Sequence, residues 1–196
     1  GISFKLKHSL SSFVLAILLA FGSQSPATAG ELFFGKDNEW VVFQGPILSE
    51  EVDGILSQLE DKKPKLILLN SIGGNVSGAV RFARYVRQNE MNTWIAKNQT
   101  CASACALVFL AGIQRFSEGK LVVHQYLPPA EQANEKISRD KAWISVQRMI
   151  GETITLLNSF GTPRFVFERI FNSPNLYEFT EAEMAEITTV TSLDEM

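Results

Sequence analysis

The sequence predicts an α/β fold in which a largely parallel sheet is covered by helices. Short apolar runs, typical of strands, alternate along the chain with longer segments whose apolar residues recur every three or four positions. The run 65–70 is apolar between its end residues, which is typical of a strand buried on both faces of a parallel sheet. Helices joining such strands would form right-handed crossovers.

The first 29 residues are predicted to be a secretory signal peptide. Two lysines precede the nine-residue apolar stretch 13–21, and 27–29 reads Ala-Thr-Ala, a small-residue cleavage sequence. The apolar stretch is shorter than the roughly 20 residues that span a bilayer. The alternative is a buried N-terminal helix. We expect residues 30–196 to form one α/β domain, periplasmic or secreted, without a membrane span.

The charge of the exported part argues against nucleic acid as its main partner. The signal contains two of the 18 basic residues and none of the 21 acidic ones, so 16 minus 21 leaves a net charge of −5. No basic cluster is present to neutralise phosphates. His124 is the only histidine after the signal, and we expect no metal and no cofactor.

The first predicted elements are a strand at 39–47, ending at a Gly-Pro pair, and a helix. Ser49 is the expected N-cap of this helix, with acidic residues in the first turn. Pro64 ends it. Its apolar stripe consists of Val52, Ile55, Leu56 and Leu59.

A strand at 65–70, a tight turn at 71–75 and a helix at 76–89 follow. The helix carries small apolar residues on one side and three arginines largely on the other. The short apolar segment 92–96 is predicted to be the next strand.

The most apolar helix is predicted at 102–112. It has almost no polar face and therefore belongs in the centre of the protein. A fourth strand is expected at 120–126, and a long, polar-rich helix at 131–160.

The C-terminal part is predicted to contain a short helix at 163–171 and a second one with a capping box. In the second helix Thr180 is the N-cap and Glu183 its reciprocal partner. One last strand is expected in the tail, 188–196.

The two cysteines, Cys101 and Cys105, have two interpretations. An oxidising compartment permits a disulfide between them. In a regular helix their side chains would lie side by side and point outward, and they would then be small, buried thiols.

Three features could carry chemistry. Gly73 and Gly74 follow a buried strand and open a helix, where backbone N–H groups can bind a negative oxygen, although an ordinary turn has the same appearance. Ser103 begins the apolar helix, where a serine is either a nucleophile or a simple N-cap. His124 is either a general base or a polar residue at a sheet edge. All of them fall at the sheet edge where α/β proteins form their sites.

Four segments, in this order and spacing, resemble the ClpP/crotonase superfamily, which includes the proteolytic subunit of the Clp protease and signal peptide peptidase A. They read VVFQGPI, LILLNSIGGNVSGAV, CASACALVFLAG and KLVVHQY. The similarity extends to exported bacterial proteins with the same CASAC segment. It implies a fold of repeated β-β-α and βαβ units with a long handle-like helix, here 131–160, that mediates contacts in a homo-oligomer.

The resemblance also implies the roles of the site residues. Ser103 would be the nucleophile and His124 the general base. The backbone N–H groups of Gly74 and Ala104 would form the oxyanion hole, and Gly73 would shape the turn that carries it.

The third catalytic residue departs from the family pattern. The family has an aspartate where alignment on the capped helix gives Asn172, with Asn175 as a neighbouring candidate and Glu168 as a stand-in. An asparagine oxygen can orient the imidazole, but it carries no charge to stabilise the imidazolium.

The expected function is therefore that of an exported serine hydrolase, a peptidase that acts on short or unfolded peptides. An ATP-driven unfoldase is not expected as a partner, because an exported chain has no ATP supply. Asn172 motivates a second hypothesis, a catalytically silent binding or assembly module. A crotonase-like acyl-CoA enzyme is a third hypothesis, which export disfavours.

Overall fold

The structure is a computed structural model that describes residues 29–126 and 139–196. The predicted signal peptide lies outside the described residues, except for its last position. Eight strands are present in the described part: β1 Glu31–Phe34, β2 Trp40–Gln44, β3 Leu66–Asn70, β4 Asn92–Ile95, β5 Thr100–Ala102, β6 Arg115–Ser117, β7 Lys120–Val123 and β8 Tyr177–Glu178. The same part contains six α-helices: α1 Val52–Lys62, α2 Val76–Gln88, α3 Cys105–Ala111, α4 Arg139–Ser159, α5 Arg164–Asn172 and α6 Glu181–Ile187.

The strands form two sheets. The larger sheet has the order β1-β2-β3-β4-β6, with β1 antiparallel to β2 and the other pairs parallel. The smaller sheet has the order β5-β7-β8, in which β5 and β7 are parallel and β8 is antiparallel. A bridge between Ser71 and Cys101 joins the end of β3 to β5. The bridge brings the C-terminal end of a central strand next to the start of the smaller sheet.

Helix α3 is the centre of the core, because all seven of its residues are buried. It packs against α2, β4 and β5. Within this core the hydroxyl of Thr93 on β4 donates to the carbonyl of Phe109, at 2.8 Å. Burial of each large apolar side chain here contributes about 1.5–3 kcal/mol.

Of the two predicted helix caps, the one at Thr180 is confirmed and the one at Ser49 is not. The capping box of α6 is confirmed, since Thr180 accepts from the backbone of Glu183 and Glu183 accepts from the backbone of Thr180. Helix α2 starts where predicted, with the side chain of Asn75 accepting from Gly78 N–H at 2.7 Å. Helix α1 begins only at Val52, and Glu51 before it makes no side-chain cap.

Three other expectations need correction. The apolar helix begins at Cys105, because Ala102 is the last residue of β5 and Ser103 adopts a left-handed conformation. The tail forms a 3-10 helix, Leu193–Glu195, instead of a strand. The long helix is described from Arg139 to Ser159, and the first part of the predicted range lies outside the described residues.

In residues 29–126 and 139–196, no helix combines the length and the apolar character needed to cross a bilayer.

Candidate active site

Ser103 occupies a sharp turn between a strand and a helix. Strand β5 ends at Ala102 and α3 begins at Cys105, so only two residues separate the strand from the helix. The N–H of Ser103 donates to the carbonyl of Val122 on β7 at 2.8 Å, and its own carbonyl accepts from Ala106 N–H at 2.9 Å. Its backbone is therefore held on both sides, while the residue itself remains partly accessible.

The backbone of Ser103 is strained, since its φ is 55°. A left-handed conformation costs an L-residue about 1–2 kcal/mol. Four other non-glycine residues of the described part also have a positive φ. They lie in turns or directly after helices: Asn38, Lys63, Glu90 and Asn98. A strained serine between a strand and a helix is also found at the nucleophile of α/β-hydrolases, where the turn exposes the hydroxyl.

A disulfide encloses this turn. Cys101 on β5 and Cys105 at the start of α3 are bonded, with their Cα atoms 5.3 Å apart. Both residues are fully buried. The helical geometry that would separate the two side chains does not apply, because the segment between them is a strand end and a turn.

Gly73 lies directly against the serine turn. An added Cβ would lie 2.6 Å from the carbonyl oxygen of Ala102, 2.7 Å from the nitrogen of Ala104 and 3.0 Å from the Cβ of Ser103. Its φ of 84° also favours glycine. Its N–H donates to Ser71 Oγ at 3.0 Å. Gly73 therefore provides space beside the serine, and its N–H is engaged.

Two other backbone N–H groups at this corner remain available. Gly74 is exposed, with a φ of 147°, whereas Ala104, which follows Ser103, is fully buried. Neither N–H has a hydrogen-bond partner within the described residues. The turn itself is rigid, because Ile47 N–H donates to Gly73 at 2.9 Å and Asn75 N–H donates to Ile47 at 2.8 Å. The two donors could stabilise a developing oxyanion.

His124 directly follows β7, the strand to which Ser103 is bonded. In the parallel register Ala102 is opposite Val122, so the histidine comes two residues after the partner of the serine turn. Its Nδ1 lies 2.6 Å from the carbonyl oxygen of Gln125. A carbonyl oxygen can only accept, so in the neutral ring Nδ1 carries the proton and Nε2 has the free lone pair. This is the tautomer that a general base for serine requires.

Asn172 is not the partner of the imidazole in this structure. It is the last residue of α5, it is exposed, and its side chain has no hydrogen bond to any described residue. Asn175 is also exposed, and Glu168 pairs with Arg164 at 3.4 Å. The position that the family resemblance reserves for a carboxylate is therefore taken by a backbone carbonyl.

Sequence reasoning missed Gln125, whose three hydrogen bonds connect the histidine to α5. Its N–H donates to the carbonyl of Ser173 at 2.8 Å, and its side-chain Nε2 donates to that of Phe171 at 2.7 Å. Its carbonyl is the acceptor for His124. The only available signal was its position directly after the histidine, because backbone contacts leave no trace in residue type.

The residue that follows anchors the same segment to α4. Tyr126 OH and Thr153 Oγ1 are 3.0 Å apart, and the tyrosine ring packs edge-on against Phe171, with 5.9 Å between ring centres. Burial raises the pKa of Tyr126 to about 12. The chain from His124 to Tyr126 is thus fixed to two helices.

The corner therefore combines a strained serine with two N–H groups that have no partner, and the neighbouring strand leads into a histidine with a defined tautomer. These are the parts needed for acyl transfer, but no hydrogen bond joins Ser103 Oγ to the His124 ring in the part of the chain that the structure describes. No group of three or more potential metal ligands occurs among the residues that the structure describes.

Comparisons with known proteins identify the fold. An asparagine-to-aspartate mutant of ClpP1 from Listeria monocytogenes aligns with a TM-score of 0.58 and 17% sequence identity, over 80% of this chain and 93% of that chain. No protein-family model and no curated protein matches the sequence. The chain has a ClpP-like α/β fold.

Proposed function

We propose that this protein is a serine hydrolase that cleaves peptides. The observation that carries the proposal is the strained turn at Ser103, bonded to the strand that leads into His124. Because a left-handed serine costs stability, its presence between a strand and a helix calls for a functional reason. The ClpP-like fold supports peptides as the substrate class.

The mechanism uses only groups of this chain. Ser103 Oγ attacks the substrate carbonyl while His124 Nε2 accepts its proton. The N–H groups of Gly74 and Ala104 donate to the oxyanion. Removing one such donor typically slows the reaction by about 10²–10³-fold. The imidazolium then protonates the leaving amine, and water releases the acyl group by the same steps in reverse.

The proposal includes an exported location and self-association. The disulfide supports an oxidising compartment, since such bonds rarely persist in the cytosol. Short or unfolded peptides are the proposed substrates, without an ATP-driven unfoldase or nucleic acid. A second copy of the chain is the proposed partner, and the exposed Trp143 and Ile144 on α4 are consistent with such a contact.

A fluorophosphonate probe tests the proposal. We expect it to label the full chain once, at Ser103, because this strained serine lies beside N–H groups without a partner and is bonded to the strand that leads into His124. Labelling is measured by peptide mass spectrometry. Ser103→Ala should lose the label completely.

The matched control is Ser57→Ala, which removes an exposed serine in the middle of α1 and should keep the label. A label that persists in Ser103→Ala would exclude Ser103 as the nucleophile.

The second candidate is a catalytically silent binding module with the same fold. It is favoured because, within residues 29–126 and 139–196, no carboxylate is bonded to His124, whose imidazolium has no charged partner there. The two candidates differ in the rate of probe labelling. A hydrolase should be labelled much more slowly after His124→Gln, whereas the silent module predicts negligible labelling of the parent protein.

A further inference from the structure

We propose that Gln125 is the positioning residue for His124, and that its backbone carbonyl serves in place of the family's aspartate. The catalytic meaning of this inference rests on the proposed function. The contact itself, 2.6 Å between His124 Nδ1 and the Gln125 oxygen, can be tested without any activity.

The carbonyl of Gln125 is fixed because the residue is held at two other points. Its N–H and its side-chain amide both donate to carbonyls at the end of α5, those of Ser173 and Phe171. These two bonds fix Gln125 on its N-terminal side, and Tyr126, held by Thr153 and Phe171, fixes the other side of the peptide group that carries the accepting oxygen. The imidazole is therefore oriented through Gln125 by the end of a helix.

The end of α5 is a suitable anchor for physical reasons. The last four carbonyls of a helix have no partner within it. Phe171 is the penultimate residue of α5, so its carbonyl needs an outside donor, and the amide of Gln125 supplies one at 2.7 Å. A glutamine at this position thus supplies a hydrogen bond to a free carbonyl at the helix terminus, and its own backbone carbonyl orients His124.

A carbonyl fixes the tautomer as an aspartate would, but it is uncharged. It keeps the proton on Nδ1 and leaves Nε2 free, while it stabilises the imidazolium less than a carboxylate does. The proposal therefore predicts a correctly oriented base with a moderate rate. Asn172 does not contribute to orientation, because among the described residues its side chain has no partner.

Nitrogen-15 NMR of the histidine ring tests the proposal, since the two tautomers give distinct ring-nitrogen shifts. The full chain has two histidines, so His8→Gln is introduced to leave His124 alone. In this parent we expect the neutral ring to carry its proton on Nδ1. A parent ring protonated on Nε2 would overturn the proposal without any further variant.

Gln125→Met keeps the size of the side chain and removes its donor. We expect the proportion of the Nε2–H tautomer to rise and probe labelling of Ser103 to slow about tenfold, the effect of losing one hydrogen bond of ordinary strength. Gln58→Met is the matched control, because Gln58 also donates to a backbone carbonyl, that of Gly54, on an exposed helix face. It should change neither readout.

Two results would contradict the proposal. One is a folded Gln125→Met protein whose ring tautomer is unchanged. The other is a tautomer shift caused by Asn172→Ala, which would identify the asparagine as the group that holds the ring. If Gln125→Met does not fold, the parent tautomer and Asn172→Ala still decide the question. A parent with the Nδ1–H tautomer and no labelling would instead refute the proposed function alone.

Discussion

Gly73→Ala is expected to slow fluorophosphonate labelling of Ser103 by about 10²–10³-fold. The new Cβ would lie 2.6 Å from one backbone atom and 2.7 Å from another, the latter being the nitrogen of Ala104. Either the added methyl covers this oxyanion donor or the serine turn shifts. Each outcome is expected to lower the labelling rate by about two orders of magnitude or more. The measurement is the labelling rate constant of the folded variant.

The same change should lower the free energy of unfolding by roughly 2–4 kcal/mol, because a left-handed alanine and an overpacked turn add their costs. Denaturant unfolding measures this loss. Gly151→Ala is the control, since Gly151 is exposed within α4 and nothing lies within 4 Å of its added Cβ. It should leave labelling unchanged and add about 0.5–1 kcal/mol of stability. If folded Gly73→Ala were labelled at the parent rate, the turn at Gly73 would not be part of the active site.

Removing both cysteines, by Cys101→Ala with Cys105→Ala, is expected to reduce stability by about 2 kcal/mol, the chain-entropy value for a five-residue loop. It should also slow labelling of Ser103 about tenfold. Without the link, α3 can extend back over the serine, whose right-handed conformation is favoured by about 1–2 kcal/mol. Both effects are measured on the double variant, because the buried bond resists reduction in the folded protein.

An unchanged labelling rate in the double variant would contradict this explanation. The hydrogen bond from Ser103 to Val122 would then be sufficient to hold the turn, and the disulfide would contribute stability only.

Elements with strong local signals were predictable from the sequence. The apolar run of β3, the Asn75-capped helix α2 and the capping box of α6 occur where predicted. The short edge strands β6 and β8 were not predicted, because their few residues pair with distant parts of the chain. Strand β1 was also missed, although it pairs with the nearby β2, because its four residues show no alternation of polar and apolar side chains.

The start of α3 shows that a local sequence pattern cannot predict a contact with a distant strand. The small apolar residues from Ala102 onward satisfy a helical pattern, yet the backbone of Ser103 is bonded to Val122, a contact 19 positions along the chain. Tertiary pairing therefore overrides helix propensity, and the nucleophile's turn and the disulfide result from it.

The candidate site was predictable for side chains and not for backbone groups. Ser103, His124 and the glycine pair could be singled out by residue type and by their position at one sheet edge. The acceptor on His124 could not, because every residue carries a carbonyl and only the fold decides which one meets the ring.

A crystal structure of the fluorophosphonate adduct tests the central claim most directly. We predict phosphorus bonded to Ser103 Oγ, a phosphonyl oxygen about 3 Å from the backbone nitrogens of Gly74 and Ala104, and His124 Nε2 about 3 Å from the serine oxygen. An adduct on another residue, or a histidine ring that faces away from the bonded serine, would contradict the account.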